Sequence, residues 1–232
     1  MCGRIVQAQP PEVYAQYFHV DVVKAEALKP RWNVAPTTDV YAVAEHDHQR
    51  MLGTFRWGFI PWWAKDPKIG NRAINARLET LDTKPMFRES FEHRRCLIPA
   101  DGFYEWQKLD KGKLPHYVHA KDGDPLPLAG LWSSWKDPET GERIRSCTIV
   151  TGEPNDLVGK LHDRMPVIVP QDLWATWLDP EFADTAALRS LLAEPFPDDA
   201  LDEYPVSTLV NKATIDTPDL VKPLESGAVG GG

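Results

Sequence analysis

The chain is poor in cysteine. It has three in 232 residues, Cys2, Cys96 and Cys147, and no two of them stand in a CxxC pair. An odd count without that spacing argues against a disulfide framework or a cysteine zinc site, and fits a reducing compartment. No run approaches the 18 apolar residues of a membrane span. The opening MCGRIVQAQ lacks the apolar stretch of a secretory leader, so a cytoplasmic protein is expected. Neither GxGxxG nor GxxxxGKS/T occurs, which leaves nucleotide-binding folds unsupported, and there is no GxSxG nucleophile elbow. Internal repeats are missing too. Positive charge is also scarce: 26 Lys and Arg against 34 Asp and Glu give a net charge of -8. That excludes a surface that grips a polyanion everywhere, while leaving room for a local basic cleft.

What is abundant is proline, 21 residues, and tryptophan, 9. With 42% hydrophobic and 26% charged residues the composition is that of a soluble globular protein. A chain of this length buries about 70% of its unfolded surface and needs no disulfide or metal staple. The prolines therefore punctuate a folded chain rich in loops. A short strand is expected at 4–7, then a helix opened by Pro10 and Pro11. Residues 30–38 read as a loop, followed by strands near 39–44 and 51–57 and a long aromatic and basic loop over 59–72. A helix is expected around Met86–His93, and strands at 95–98, 102–107, 115–119, 127–132 and 145–151. A helix over 154–161, a strand at 165–169, helices near 171–178 and 184–193 and a strand at 204–210 complete the reading. Many short strands with inserted helices predict an α+β fold: one domain over 1–224 with a β-barrel-like, mainly antiparallel sheet core and peripheral helices. Residues 225–232 read as a flexible Gly-rich tail.

Chemistry concentrates at the N-terminus. If Met1 is removed, Cys2 carries an α-amine and a thiol on adjacent carbons. The amine, with a reference pKa of ~7.7–8.0, is partly unprotonated at neutral pH. Such a 1,2-aminothiol condenses with an aldehyde to a Schiff base, and the thiol then closes a five-membered thiazolidine. Gly3 permits close backbone approach and Arg4 offers a planar fork for phosphate. In INAR, an extended backbone puts Asn75 and Arg77 on one face; the same spacing also suits a plain strand edge. Glu105 stands between Tyr104 and Trp106, either desolvated and suited to acid–base work or facing solvent. His162, in LHDRMP, is either a catalytic group on a loop or a helix C-terminal cap. The histidine pairs His46/His48 and His116/His119 bring no third ligand, so no metal is expected. Aromatic residues among basic ones, at Trp57–Lys68 and Tyr104–Lys108, suit stacking against single-stranded nucleic acid. The segment 50–95 holds 10 bases and 5 acids, a local net of +5, so the acidity belongs mostly to the C-terminal half.

MCGR, RWNVAPT, WGFIPWW, INAR, ADGFYEW and HDRMPVIV, in this order, resemble the SRAP family, the SOS-response-associated peptidase-like sensors of abasic sites in single-stranded DNA. The resemblance implies capture of the ring-opened abasic aldehyde by Cys2 as a thiazolidine DNA–protein crosslink. It implies that Asn75 orients the amine and sugar, and that Glu105 and His162 handle proton transfer. Arg4, Arg77 and Arg164 would meet phosphates; Asn33, Pro36, Trp62, Trp63, Trp106 and Thr151 would form the DNA-contacting or wedging surface. It implies abasic single-stranded DNA as partner; no cofactor is expected, a monomer is the default, and the location expected is cytoplasmic, with the nucleoid when on damaged DNA. Two alternatives stay open, an N-terminal-cysteine (auto)peptidase and a noncovalent single-strand binding module. Met165 stands where some members carry a second Arg after HDR, which bears on binding strength.

Overall fold

The computed structural model describes residues 2–224; Met1 and the Gly-rich tail lie outside the described residues. In chain order the elements are β1 (Ile5–Gln7), α1 (Pro11–Tyr17), β2 (Val22–Val23), β3 (Arg31–Val34), β4 (Asp39–His46), β5 (Gln49–Trp57) and β6 (Asn75–Arg77). Then come α2 (Arg88–His93), β7 (Arg95–Ala100), β8 (Gly102–Lys108), β9 (Lys113–Ala120), β10 (Leu126–Lys136) and β11 (Arg143–Gly152). The chain ends with α3 (Asp156–Gly159), β12 (Met165–Pro166), α4 (Trp174–Leu178), α5 (Thr185–Leu191) and β13 (Leu201–Pro205).

Strands β11, β10, β7, β4 and β5 are joined in that order by antiparallel ladders. A parallel pairing of β5 with β11, Arg56 opposite Ser146 and Trp57 opposite Cys147, closes the ring. Full closure removes the sheet edges that would otherwise invite aggregation. β2, β12 and β6 add to its flanks. A second sheet, in the order β13-β9-β8-β1-β3, packs against the ring. The α+β barrel-like architecture expected from the sequence is therefore the one observed.

Alternation along the strands explains the packing, because successive side chains point to opposite faces. Val40, Ala42, Ile98, Leu128, Cys147 and Ile149 share one cluster with Ile5, Phe103 and Val118 of the second sheet. The intervening Tyr41, Val43, Leu97, Leu131 and Val150 pack with the helices, against Tyr14, Phe18, Phe91, Trp174 and Trp177. Both faces are thus buried, and at roughly 25 cal/mol per Å² of apolar surface this is the main source of stability. The outer face of the second sheet, Tyr104 and Tyr117, is covered by Val206, Val210 and Leu220 of the C-terminal segment.

Several local expectations shift. RWNV is a strand, β3, rather than loop, because it pairs with β1. The helix expected over 154–161 is one turn, Asp156–Gly159, capped by the Asn155 side chain accepting from the Val158 N–H. The last strand lies at 201–205; a 3₁₀ turn, Thr208–Asn211, follows it. His46 and His48 belong to the β4–β5 hairpin. Asp47 and His48 both have positive φ, 51° and 58°, the signature of a two-residue I′ turn. Among the described residues no group of three His, Cys, Asp or Glu could hold a metal.

Candidate active site at the N-terminal cysteine

Strand register delivers Cys2 to its neighbours. β1 runs antiparallel to β8 with Ile5 opposite Phe103, so the chain before Ile5 runs back alongside the residues after Phe103. The Tyr104 N–H donates to the Arg4 carbonyl at 3.0 Å, one step further along the same ladder. Cys2 therefore lies beside Glu105. Its side chain is fully buried, and burial pushes the thiol well above its ordinary pKa, with the Glu105 charge adding to the effect.

Asn75 arrives from the other sheet. β6 runs parallel to β11 with Asn75 opposite Ile149 and Arg77 opposite Thr151. Ala76, between them, is buried, so Asn75 and Arg77 do share the opposite face. The Asn75 Nδ2 donates to the Cys2 carbonyl at 2.8 Å. Its Oδ1 is buried without a hydrogen-bond partner among the described residues.

Glu105 is 1% exposed. Burial raises its carboxyl above the ordinary range, while the charge on His162 pulls the other way. His162 follows α3 and precedes β12, whose pairing of Pro166 with Thr151 returns the chain to the end of β11. The Arg164 backbone N–H stands 3.0 Å from His162 Nδ1, and Asp163 Oδ1 lies 2.7 Å from the same atom. Nδ1 of His162 thus has one donor, the Arg164 N–H, and one acceptor, the Asp163 carboxylate, beside it. Cys2, Asn75, Glu105 and His162, far apart in sequence, thus form one constellation. A thiol, an amide that fixes its backbone, a buried carboxyl with a raised pKa and an imidazole are a set suited to condensation with a carbonyl compound.

The surface residues divide. Trp62 and Trp63 are 57% and 48% exposed, and the Trp62 Nε1 donates to Glu89 at 2.6 Å. Arg77 is exposed and Pro36 partly so. The Trp106 Nε1 donates to Asn211 Oδ1 at 2.7 Å. Arg164 places its Nη2 2.6 and 2.7 Å from the two oxygens of Glu79. Asn33 and Thr151, in contrast, are buried. The Asn33 amide donates to the carbonyls of Val210, Lys212 and Ile215, and its Oδ1 accepts from Arg4 at 2.7 Å. Arg4 also binds the Val210 carbonyl at 2.9 Å and, being half-buried, has its pKa lowered. This pair anchors the N-terminal strand to the C-terminal segment from behind the site, a role that residue spacing alone gives no way to read.

Two glycines set the long aromatic loop. A Cβ on Gly70 would lie 2.6 Å from the Gly58 carbonyl oxygen, and Gly58 has φ of +135°. Only glycine lets the two backbones cross so closely at the base of 59–72.

A barrel closed around one cluster, with a fully buried cysteine beside a carboxyl, an amide and an imidazole at its rim, defines an α+β domain built around an N-terminal cysteine centre. The family model for SOS response associated peptidase (SRAP) matches residues 1–213, and the chain belongs to that family. It is 41% identical over 224 residues to the abasic site processing protein YoqW of Bacillus subtilis, covering 96% of this chain and 99% of that protein. It is 31% identical to the abasic site processing protein YedK of Escherichia coli, covering 97% and 100%. Among solved structures, a protein from Bacteroides thetaiotaomicron superposes with a TM-score of 0.84 at 26% identity, covering 96% of this chain and all of that one. No helix among the described residues is long and apolar enough to cross a membrane.

Proposed function

We propose that this protein processes abasic sites in single-stranded DNA by capturing the ring-opened aldehyde covalently on Cys2. Support comes from the names of its relatives and, above all, from one observation: the Cys2 carbonyl is held by Asn75 Nδ2 beside a buried Glu105 whose carboxyl pKa is raised by that burial. Once Met1 is removed, the α-amine attacks the aldehyde carbon. A protonated Glu105 supplies the proton with which the carbinolamine oxygen leaves as water, giving the Schiff base. The Cys2 thiol then adds across the C=N bond of the protonated Schiff base: sulfur bonds to carbon, the C=N electron pair passes to nitrogen, the sulfur proton passes to the Glu105 carboxylate, and a thiazolidine closes with no oxidant or reductant required. Raised thiol pKa favours this order, since the amine is the better nucleophile until the imine carbon is delivered next to sulfur. His162 relays protons at the sugar. Arg77 and Arg164 meet phosphates, with Trp62, Trp63, Pro36 and Trp106 against the bases, while Arg4, Asn33 and Thr151 support them.

The Met1-free protein is incubated with single-stranded DNA carrying one abasic site and resolved on a denaturing gel. A heat-stable adduct is expected that Cys2→Ala abolishes. Absence of adduct from the unmodified sequence, with the N-terminal Cys2 verified by mass, overturns the reading.

A further inference from the structure

We propose that His116, paired with Glu203, is a positioning residue for Glu105: it stands across the second sheet from the carboxyl as a counter-cation and sets the pH range over which that carboxyl works. The proposal rests on the reading above and deepens it. Glu105 is 1% exposed, and once it yields its proton a carboxylate is left in that setting. A buried carboxylate is costly unless a positive group stands by it.

Strand register puts the three side chains in a row. β8 and β9 pair antiparallel with Glu105 opposite His116 and Phe103 opposite Val118. Phe103 and Val118 lie in the barrel cluster, while Tyr104 and Tyr117 pack on the outer face. By alternation Glu105 and His116 share the barrel side. Side chains directly opposite have Cβ atoms about 4.5–5.5 Å apart. β13 pairs along the other side of β9 with Glu203 opposite Val118, which gives Glu203 the same face. Its Oε2 lies 2.5 Å from His116 Nδ1. The His116 side chain is 9% exposed and that of Glu203 21%, so the row runs from the buried carboxyl toward solvent at the edge strand. His116 Nε2 is buried with no hydrogen-bond partner among the described residues. A carboxylate at hydrogen-bond distance favours an imidazolium, and a cation beside a carboxyl favours its ionised form. β8 lies between β1 and β9, so Cys2 and His116 flank Glu105 from opposite strands. The other titratable groups facing Glu105 are Cys2 and His162. Arg4 turns instead to Asn33 and the Val210 carbonyl. α3 presents Val158 to the cluster while Asp156 and Lys160 are exposed, and the 208–211 turn that packs on β9 has no ionisable side chain.

The test is the pH dependence of single-turnover crosslinking by the Met1-free protein, read beside an NMR titration of the Glu105 carboxyl carbon without DNA, with Glu105→Gln assigning the signal. His116→Phe and His116→Gln are expected to raise the midpoint in both measurements by about 1 pH unit, the low end of what an opposite charge within ~4–6 Å does. His116→Gln can still donate to Glu203, so it decides the matter where His116→Phe fails to fold. His116→Lys keeps a cation beside Glu203 and should return the midpoint to that of the unmodified protein. A pair that only braces the sheet would lower thermal stability in these variants and leave the midpoint in place. A midpoint in His116→Gln within about 0.3 pH unit of the unmodified protein therefore overturns the proposal. If the unmodified protein forms no crosslink, the covalent reading fails, and the carboxyl titration still decides the role of His116.

Discussion

Replacing Asn75 by Ala removes one hydrogen bond, Nδ2 to the Cys2 carbonyl at 2.8 Å, from a partly buried position. A neutral hydrogen bond contributes about 0.5–1.5 kcal/mol net, and leaving a buried acceptor unserved raises the cost to about 3. The backbone around position 75 is held independently, by the β6–β11 ladder and by the Ile149 N–H donating to the Ile74 carbonyl at 3.2 Å. Ala76 remains in the core. The loss therefore falls on the orientation of Cys2 and not on the fold. A barrier raised by about 1–3 kcal/mol slows the covalent step roughly 5- to 150-fold. Global stability, at about 2–4 °C per kcal/mol for this chain length, drops by only a few degrees. The assay is single-turnover crosslinking at saturating abasic DNA, alongside thermal unfolding. Asn75→Asp removes the same donor and adds a negative charge near Glu105, so it should be slower still and move the pH profile upward. If Asn75→Ala reacts within about twofold of the unmodified protein, the positioning argument fails.

Glu105 governs the pH dependence. Its carboxyl is held above the ordinary 4.5 by burial, so the acid form survives to higher pH than that of an exposed Glu. The rate of Schiff-base formation should fall as pH rises through that elevated value, and Glu105→Gln should remove this limb. The stability sign follows: the folded state binds the proton more tightly than the unfolded chain, so this group's contribution is full below about pH 4.5 and is lost as pH rises through the folded value. Thermal unfolding of Glu105→Gln against pH, compared with the unmodified protein, should lack that component. Arg95 tests the fold alone. It is 2% exposed and donates to five backbone carbonyls, of Phe91, Glu92, Trp177, Asp179 and Phe182, while burial lowers its pKa to about 10. Arg95→Met relieves a buried charge but strands those carbonyls, and the net should be about 3–5 kcal/mol of lost stability. At 2–4 °C per kcal/mol the melting temperature should fall by on the order of 10 °C, with crosslinking unchanged at low temperature. A shift under about 3 °C would mean the carbonyls find other donors.

Sequence pattern revealed the long strands well because β4, β7, β10 and β11 alternate between two buried faces. It could not reveal the closure of the ring. The β5–β11 pairing is parallel, two residues long and far from local in sequence, so no turn or period marks it. RWNV reads as loop because Pro30 and Pro36 bracket it, and only pairing with β1 makes it a strand. The chemical types at positions 2, 75, 105 and 162 were visible. Their convergence was not, since it depends on two registers, Ile5 with Phe103 and Ile149 with Asn75. Asn33, which the family resemblance places on the DNA-contacting surface, is buried in a three-carbonyl socket of the C-terminal segment, which no local pattern marks. The surplus of basic residues over 50–95 was legible as a number. Three of them, Lys65, Lys68 and Arg72, lie in the 59–72 loop, which the Gly58–Gly70 crossing folds back on itself.

Burial of the Cys2 thiol looks unfavourable for a nucleophile, because the thiolate is the reactive form and burial suppresses it. The proposed two-step chemistry reverses that judgement. An exposed, low-pKa thiolate at an N-terminus would react with any electrophile or oxidant that diffuses past. A fully buried, protonated thiol reacts only when the electrophilic carbon is already bonded to the neighbouring amine, and then the reaction is intramolecular, with the large effective concentrations that implies. The first bond therefore selects the substrate and the second locks it. In the proposed chemistry Glu105 gives up its proton as the iminium forms, and the carboxylate left behind can take the sulfur proton, so one carboxyl serves as acid in the first step and base in the second. A centre built this way would discriminate by the order of its bonds rather than by the tightness of its grip on DNA, which agrees with a chain whose net charge is -8 and whose local surplus of basic residues lies over 50–95.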